Sequence, residues 1–226
     1  MFYFSAKTPM TVHHFEAQKS VLNRFIAEIR DEDIQKDPMR FRRNIERIGE
    51  VLGYEMSKTL GYETREIRTP FGKKEVELPS DRLVLCSVLR AGLPLHQGLL
   101  NYFDGAENAF ISAYRHHRDG EDAFEVVVRY FAAPSLDGKT LVLTDPMLAT
   151  GKTLENVFAS LKNHGTPDQI HIISVIGSLQ GVAYVQKVFP ERTNLWIGAM
   201  DEELTARGYI IPGLGDAGDL AFGPKL

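Results

Sequence analysis

From Arg82 onward the chain changes register again and again. Short β-rich runs at 83–88, 109–114, 140–144, 170–176 and 194–199 appear, and helical patterns at 94–102, 153–164 and 178–189 fall between several of them. Strands alternating with helices at this spacing predict an α/β fold, a mostly parallel sheet covered by helices on both faces. One segment breaks the rhythm: 124–131 follows the turn signal Asp119-Gly120 and reads as the return strand of a hairpin, a natural flap over a site. Upstream the pattern is charged and helical. Phe15, Leu22, Phe25, Ile26 and Ile29 give an amphipathic stripe over about 15–30, and Pro38 opens a second helix carrying Phe41, Ile45, Ile48 and Leu52.

At 226 residues the chain is long enough for one domain with a substantial core. A formal net charge of -4 gives no basic footprint for a nucleic-acid backbone, so any anion must be caught by a local site. The single cysteine, Cys86, lies in the apolar run Leu83, Val84, Leu85 and reads as a buried structural thiol. The first residues lack the basic and long apolar regions of a signal peptide, and no run of 18 apolar residues occurs. The expectation is a cytoplasmic protein with no membrane or nucleic-acid partner.

The richest segment is 140–158. An apolar strand ends at Asp145, a short turn follows, and a helix begins near Thr153 with Leu154, Val157, Phe158 and Leu161 on its buried stripe and Gly165 to end it. A helix N-terminus offers unpaired N–H groups and a positive dipole end to phosphate. Gly151 lets the backbone curl round the anion, Thr150 and Thr153 add hydroxyl donors, and Lys152 adds charge. The run Ala149-Thr-Gly-Lys-Thr153 is like the end of a nucleotide-triphosphatase P-loop, but that motif needs glycine at 146 and Pro146 has no N–H to donate. Two readings remain. In one, Asp145 accepts hydrogen bonds from two adjacent ribose hydroxyls while the loop beyond holds a 5-phosphate. In the other, the segment is a plain strand–turn–helix connection with a capping threonine.

The segment Asp145-Pro-Met-Leu-Ala-Thr-Gly151 closely resembles the donor loop of the uracil phosphoribosyltransferases, which bind 5-phosphoribosyl 1-pyrophosphate. Val88-Leu-Arg-Ala-Gly-Leu93 resembles the family's pyrophosphate loop, and Gly208-Tyr-Ile-Ile-Pro-Gly-Leu-Gly-Asp-Ala-Gly-Asp219 resembles its uracil segment. With Arg40-Phe-Arg42 the resemblance spans most of the chain, in the expected order. It implies a type I phosphoribosyltransferase core with a small hood, UMP and pyrophosphate as products, magnesium as cofactor, and a homodimer or homotetramer. On this reading residues 1–80 are a helical and hood-forming part, 81–200 the core with its flap at about 115–131, and 201–226 the uracil-binding segment.

The resemblance implies donor binding by Arg90, Arg115, Asp145, Pro146, Met147, Leu148, Ala149, Thr150, Gly151, Lys152, Thr153 and Asp216, with Arg90, Arg115 and Asp216 in catalytic roles. Arg90 falls at the C-terminal end of an apolar strand, where open α/β sheets put ligands, and Ala91-Gly92 can bring N–H groups to an anion; a surface ion pair is its other reading. Arg115 precedes the hairpin turn, where a guanidinium could clamp a leaving group, or simply lie exposed. His116 and His117 beside it have no ligand-spaced partners and read as solvated loop residues. Ile210, Gly215 and Ala217 are implied to contact uracil through their backbones, with Asp216 beside them. Such N–H, C=O and N–H groups match uracil's edge, and a mismatched cytosine would be rejected by roughly 10⁴-fold.

Three departures from the family pattern stand out: Lys152 in place of a second glycine, Thr205 where asparagine is usual, and a divergent stretch at 116–129. Pro146 leaves no adjacent acidic pair, so magnesium would be held mainly by the donor's pyrophosphate and ribose oxygens, with few direct protein ligands and no metal-binding residues assigned. The alternatives are a phosphoribosyltransferase for another base and a non-catalytic regulator that keeps the fold and binds UMP or RNA.

Overall fold

The computed structural model describes residues 10–117 and 124–225, with 113–117 and 124–129 described by their backbone. The elements in order are β1 (Thr11–His14), α1 (Val21–Arg30), α2 (Pro38–Ser57), β2 (Tyr62–Thr69), β3 (Gly72–Pro79), β4 (Leu83–Leu89), α3 (Gly92–Leu100), β5 (Glu107–His117) and β6 (Phe124–Ala132). They continue with β7 (Thr140–Thr144), β8 (Met147–Leu148), α4 (Lys152–Leu161), β9 (Gln169–Ser178), α5 (Leu179–Val188), β10 (Asn194–Asp201), β11 (Glu203–Leu204), β12 (Ile210–Ile211) and α6 (Ala217–Phe222).

The main sheet has the order β1-β10-β9-β7-β4-β5-β6, with β8 continuing beside β9. Neighbours pair in parallel except β6, which returns antiparallel to β5. The central strands are buried along nearly their whole length because both faces are covered. Val84, Cys86, Leu141, Leu143, Ile170 and Ile172 pack under α4 and α5; Leu85, Val142, Ile173, Val175 and Trp196 pack under α1, α2 and α3. Each fully buried Leu or Ile side chain contributes roughly 1.5–3 kcal/mol. Cys86 belongs to this core, and burial pushes its thiol up to about 12.

Three features differ from the sequence pattern. The first helix starts at Val21, not near Phe15, because Ser20 forms a capping box with Asn23. Phe15 is buried all the same, stacked 6.2 Å from Trp196 after the edge strand β1, which the periodicity did not reveal. Within the otherwise helical first third, β2 and β3 form a separate two-stranded hairpin, exposed along nearly all its length, with Phe71 fully exposed at its tip. None of the helices among the described residues is long and apolar enough to cross a membrane.

One buried histidine makes stability depend on pH. His171 is fully buried; its Nδ1 accepts from Trp196 Nε1 at 3.0 Å and its Nε2 has no partner among the described residues. Burial lowers its pKa from 6.5 to about 4, with Asp81 opposing and His13 adding to the shift. The unfolded chain takes up this proton near pH 6.5 while the folded one resists it until about 4. The stability gained by keeping the ring neutral is therefore complete above pH 6.5 and lost as pH falls toward about 4, by something on the order of 3 kcal/mol. Thermal unfolding followed across that window should show a falling Tm, and His171→Gln should flatten the slope; an unchanged slope would refute the assignment.

Candidate active site

Parallel strands release their chain at one edge, and the sequence motifs meet there. β7 ends at Thr144, and the chain continues as a further strip of sheet: Asp145 N donates to Ile173 O, and Pro146 O accepts from Val175 N and Ile176 N. Met147 and Leu148 then pair with Ile176 and Gly177. Pro146, Leu148 and Ala149 are consequently buried, so what they offer a ligand is main chain. Asp145 is half-buried, its Oδ1 accepting from Met147 N at 3.2 Å. Thr150, exposed Lys152 and Thr153 stand at the start of α4.

Gly151 is the N-cap of α4, at φ 77°, with no side-chain cap bond. A threonine bond does form here, from one residue earlier: Thr150 Oγ1 accepts from Lys152 N at 3.4 Å, beside the glycine N-cap. A Cβ at Gly151 would lie 2.9 Å from Tyr184 Cδ1 and 3.2 Å from Gly181 O, so both conformation and space demand glycine. The loop is braced from behind by a residue the motif reading missed. Ser178 Oγ donates to Ala149 O at 2.6 Å and accepts from Gly181 N at 2.9 Å, capping α5 and fastening the loop with one hydroxyl.

At the end of β4 the Leu89–Arg90 peptide is cis and α3 begins two residues later, at Gly92. Arg90 does make an ion pair, but with the other motif: its Nη2 meets Asp219 Oδ1 at 2.7 Å and its Nη1 donates to Gly223 O at 3.0 Å. The 90–92 loop and the C-terminal segment are thereby joined.

That C-terminal segment starts as a small hairpin, β11 with β12. Thr205 closes its turn: Thr205 N donates to Tyr209 O at 2.8 Å and Thr205 Oγ1 accepts from Tyr209 N at 3.0 Å. The departure at this position thus keeps a side-chain acceptor. After the cis Ile211–Pro212 bond, Gly213 turns at φ 59°, where a Cβ would sit 2.1 Å from Ile210 O. Arg30 binds Asp201 through both guanidinium nitrogens, at 2.8 and 2.9 Å, and also donates to Gly213 O at 3.0 Å; Gly213 N donates to Asp201 Oδ2 at 3.2 Å. Neither Arg30 nor Asp201 was singled out by motif, although an acid ending an apolar strand and an arginine ending an amphipathic helix were the available signals.

Ile210 and Ala217 bury their side chains in the core, while Gly215 is exposed at φ 93°. Asp216 caps α6, accepting from Asp219 N at 3.0 Å, and Lys225 Nζ lies 3.1 Å from its other oxygen. Burial raises its pKa, but the hydrogen bond from Asp219 N, the Lys225 ammonium and Gly218 N outweigh that and hold the carboxyl below the ordinary range. Arg42 donates to Ala221 O at 2.7 Å, tying α6 to α2. Arg115 lies on β5 opposite Val126, with its side chain outside the described residues, as are flap residues 118–123. A polar cavity of about 450 Å³ opens at the opposite edge of the sheet, between Asp81, Arg82, Lys139 and Arg192, and holds none of these motifs.

No P-loop hydrolase could work through this loop, since the position that would wrap the phosphate is a buried proline already bonded to β9. A strand-end carboxylate followed by a glycine-turned helix start, on a parallel sheet with an antiparallel flap strand, is the core that the resemblance to the type I phosphoribosyltransferases implied. The sequence model of the uracil phosphoribosyltransferase family matches residues 16–224. Uracil phosphoribosyltransferases of Porphyromonas gingivalis and Methanothermobacter thermautotrophicus are 50% and 41% identical to it, over 96% and 83% of this chain and 100% and 85% of theirs. The structure of the AQ2163 protein from Aquifex aeolicus superposes with a TM-score of 0.83 at 29% identity, covering 93% of this chain and 98% of that one. The chain belongs to the uracil phosphoribosyltransferase family.

Two substitutions test the geometry. Gly151→Val should raise the Kd for 5-phosphoribosyl 1-pyrophosphate at least about tenfold while uracil affinity is retained, since the strain falls on one loop. Asp201→Ala should lower stability by about 2 kcal/mol, because it leaves the part-buried Arg30 without its carboxylate, and should weaken uracil binding. Calorimetric titration and thermal unfolding would register both.

Proposed function

We propose that the protein transfers the phosphoribosyl group of 5-phosphoribosyl 1-pyrophosphate to uracil, giving UMP and pyrophosphate. The observation that carries this reading is the junction of two motifs, the 145–151 loop at the end of β7 and the Arg90–Asp219 bridge between the 90–92 loop and the glycine-bent tail. A sugar phosphate and a flat base can thus be held face to face. N1 of uracil bonds to the anomeric carbon as the carbon–oxygen bond to pyrophosphate breaks, and N1 gives up its proton. Positive character grows on the ribose and negative charge on the leaving group, so orientation and well-placed donors supply the catalysis.

In this proposal the 5-phosphate rests on main-chain N–H groups and hydroxyls of 150–153, and Asp145 accepts from the ribose hydroxyls. Arg90, fixed by Asp219 and Gly223 O, turns its guanidinium edge to the pyrophosphate. Arg115 comes over it on the β5–β6 hairpin. Asp216, ionised at neutral pH, is assigned to the reacting region, and the backbone at Ile210, Gly215 and Ala217 to the edge of uracil.

Phosphoribosyltransferases generally use magnesium with this donor. Asp145, Asp216 and Asp219 supply carboxylate oxygens at this edge, but no three His, Cys, Asp or Glu side chains among the described residues gather to hold a metal ion. That donor set fits an ion carried mainly by the substrate, whose role when bound is to neutralise pyrophosphate charge. A single buried thiol suits a reducing compartment, and we assign the reaction to the cytoplasm.

We also propose a homo-oligomer, dimer or tetramer. Support comes from the β2–β3 hairpin, a two-stranded ribbon that would be marginal alone and that offers Phe71, Ile67 and Tyr62 to solvent. Phe71→Asp should shift sedimentation toward smaller species; an unchanged profile would remove this hairpin from the interface.

Incubation with donor and magnesium should release pyrophosphate with uracil and not with purines; purine preference would overturn the base assignment. Asp216→Ala and Arg115→Ala should each lower kcat by about 100-fold without loss of fold. Wild-type rates in both would mean that the site is misplaced.

A further inference from the structure

Beneath the two loops runs a buried line of polar groups that none of the motifs includes. Thr144 Oγ1 lies 2.7 Å from Ser87 Oγ, Ser87 Oγ lies 2.7 Å from His96 Nδ1, and His96 Nε2 lies 2.8 Å from Asn108 Oδ1. Thr144 and Ser87 are fully buried and His96 is nearly so. The four residues come from β7, β4, α3 and β5. Thr144 immediately precedes Asp145, Ser87 lies three residues before Arg90, and His96 is on the helix that starts at Gly92. At Gly92 a Cβ would lie 3.6 Å from Ser87 Cβ and 3.7 Å from Thr144 O, so the helix start rests directly on this line.

With a neutral His96, the direction of every hydrogen bond in it follows. Asn108 donates through its amide nitrogen to Ala106 O at 3.1 Å, so its oxygen faces His96 and His96 Nε2 carries the ring proton. His96 Nδ1 is then an acceptor and receives the hydrogen bond donated by Ser87 Oγ. Ser87 Oγ in turn accepts from Thr144, whose other acceptor, Cys86 O, is 3.5 Å away. The line runs one way only, from Thr144 through Ser87 and His96 to Asn108.

We propose that this chain is a positioning device for the transfer reaction: it sets the strand end carrying Asp145 against the loop carrying Arg90, and it does so only with a neutral His96. A protonated ring would donate from Nδ1 as well. Ser87 would then have to accept from it and donate to Thr144, forcing Thr144 onto the long bond to Cys86 O. The contact that joins the two loops would be rebuilt in reverse on a poorer acceptor. Burial favours the neutral ring, with the Asn108 bond acting in the opposite sense. The charged groups on the elements packed round α3 are engaged or displaced from the line. Glu46 and Glu50 of α2 are held by Asn101 and Arg43, Glu107 of β5 by Lys139, β4 has none, and Asp145 lies beyond the end of β7.

The proposal rests on the assigned reaction and is tested by separating donor from base. Thr144→Val keeps the shape and removes the hydroxyl; Thr144→Ser keeps the hydroxyl. Steady-state kinetics should show Thr144→Val raising the donor KM about tenfold, with uracil KM within about twofold. Thr144→Ser should restore wild-type values. Between about pH 5 and 8 the wild-type donor KM should rise on the acid side, and His96→Gln should lose that rise relative to wild type. Titration of the donor's own phosphates is common to both and cancels in the comparison. The ¹⁵N spectrum of the imidazole at neutral pH should show the proton on Nε2. Wild-type turnover with Thr144→Val indistinguishable from it, equal damage to both KM values, an acid rise that persists in His96→Gln, or a proton on Nδ1 would overturn this proposal alone. A wild-type protein that makes no UMP would overturn the assigned reaction first, and this role with it.

Discussion

The part-buried ion pair between Arg30 and Asp201 governs where the C-terminal segment can turn. Asp201 is the last residue of β10, Arg30 the last of α1, and both reach Gly213, where the tail turns after a cis proline. Burying two charges is costly, and the desolvation is offset here by bidentate geometry and by two further main-chain hydrogen bonds. A hydrophobic pair of similar volume could match its stability. It could not dictate where the Gly213 peptide lies, and that directional control is what an irregular segment without long helices or strands requires.

The opposite wall of the site is organised by contact with sheet and helix. Because 145–148 extends the sheet beside β9, its backbone groups are consumed by pairing until Ala149, and only then is the chain free to curl. Ser178 fixes that point, and α5 comes so close that glycine is required at both 151 and 181. Rigid secondary structure therefore reaches to within a residue of the turn at Gly151, so its backbone has little conformational entropy left to lose.

Much of this was readable beforehand because the parallel sheet writes itself plainly. The runs at 140–144 and 194–199 are apolar on both faces, and the 124–131 return strand followed an Asp-Gly signal. The turn at 145–151 was legible for the same reason: proline at 146 eliminates one loop chemistry by itself. What stayed hidden depended on partners far apart in sequence. Arg30 and Asp201, or Ser87, His96 and Thr144, are unremarkable singly and gain meaning only when strands at separate positions are brought side by side. The β2–β3 hairpin escaped because its strands carry charge on both faces and their only apolar alternation, Val76 and Leu78, is too short to mark a strand. Thr205 was noticed as a departure, yet its hydroxyl takes the main-chain hydrogen that a side-chain amide oxygen could take.

Cys86 lies at the centre of the sheet with no exposed surface and a thiol that is hardly ionised near neutrality. Alkylating and oxidising reagents act on thiolates they can reach, so in the folded protein this sulfur is chemically silent. As the chain's only cysteine, it becomes reactive when β4 separates from its neighbours. The rate at which a thiol reagent consumes it is therefore a built-in clock for opening of the core, readable without any added label.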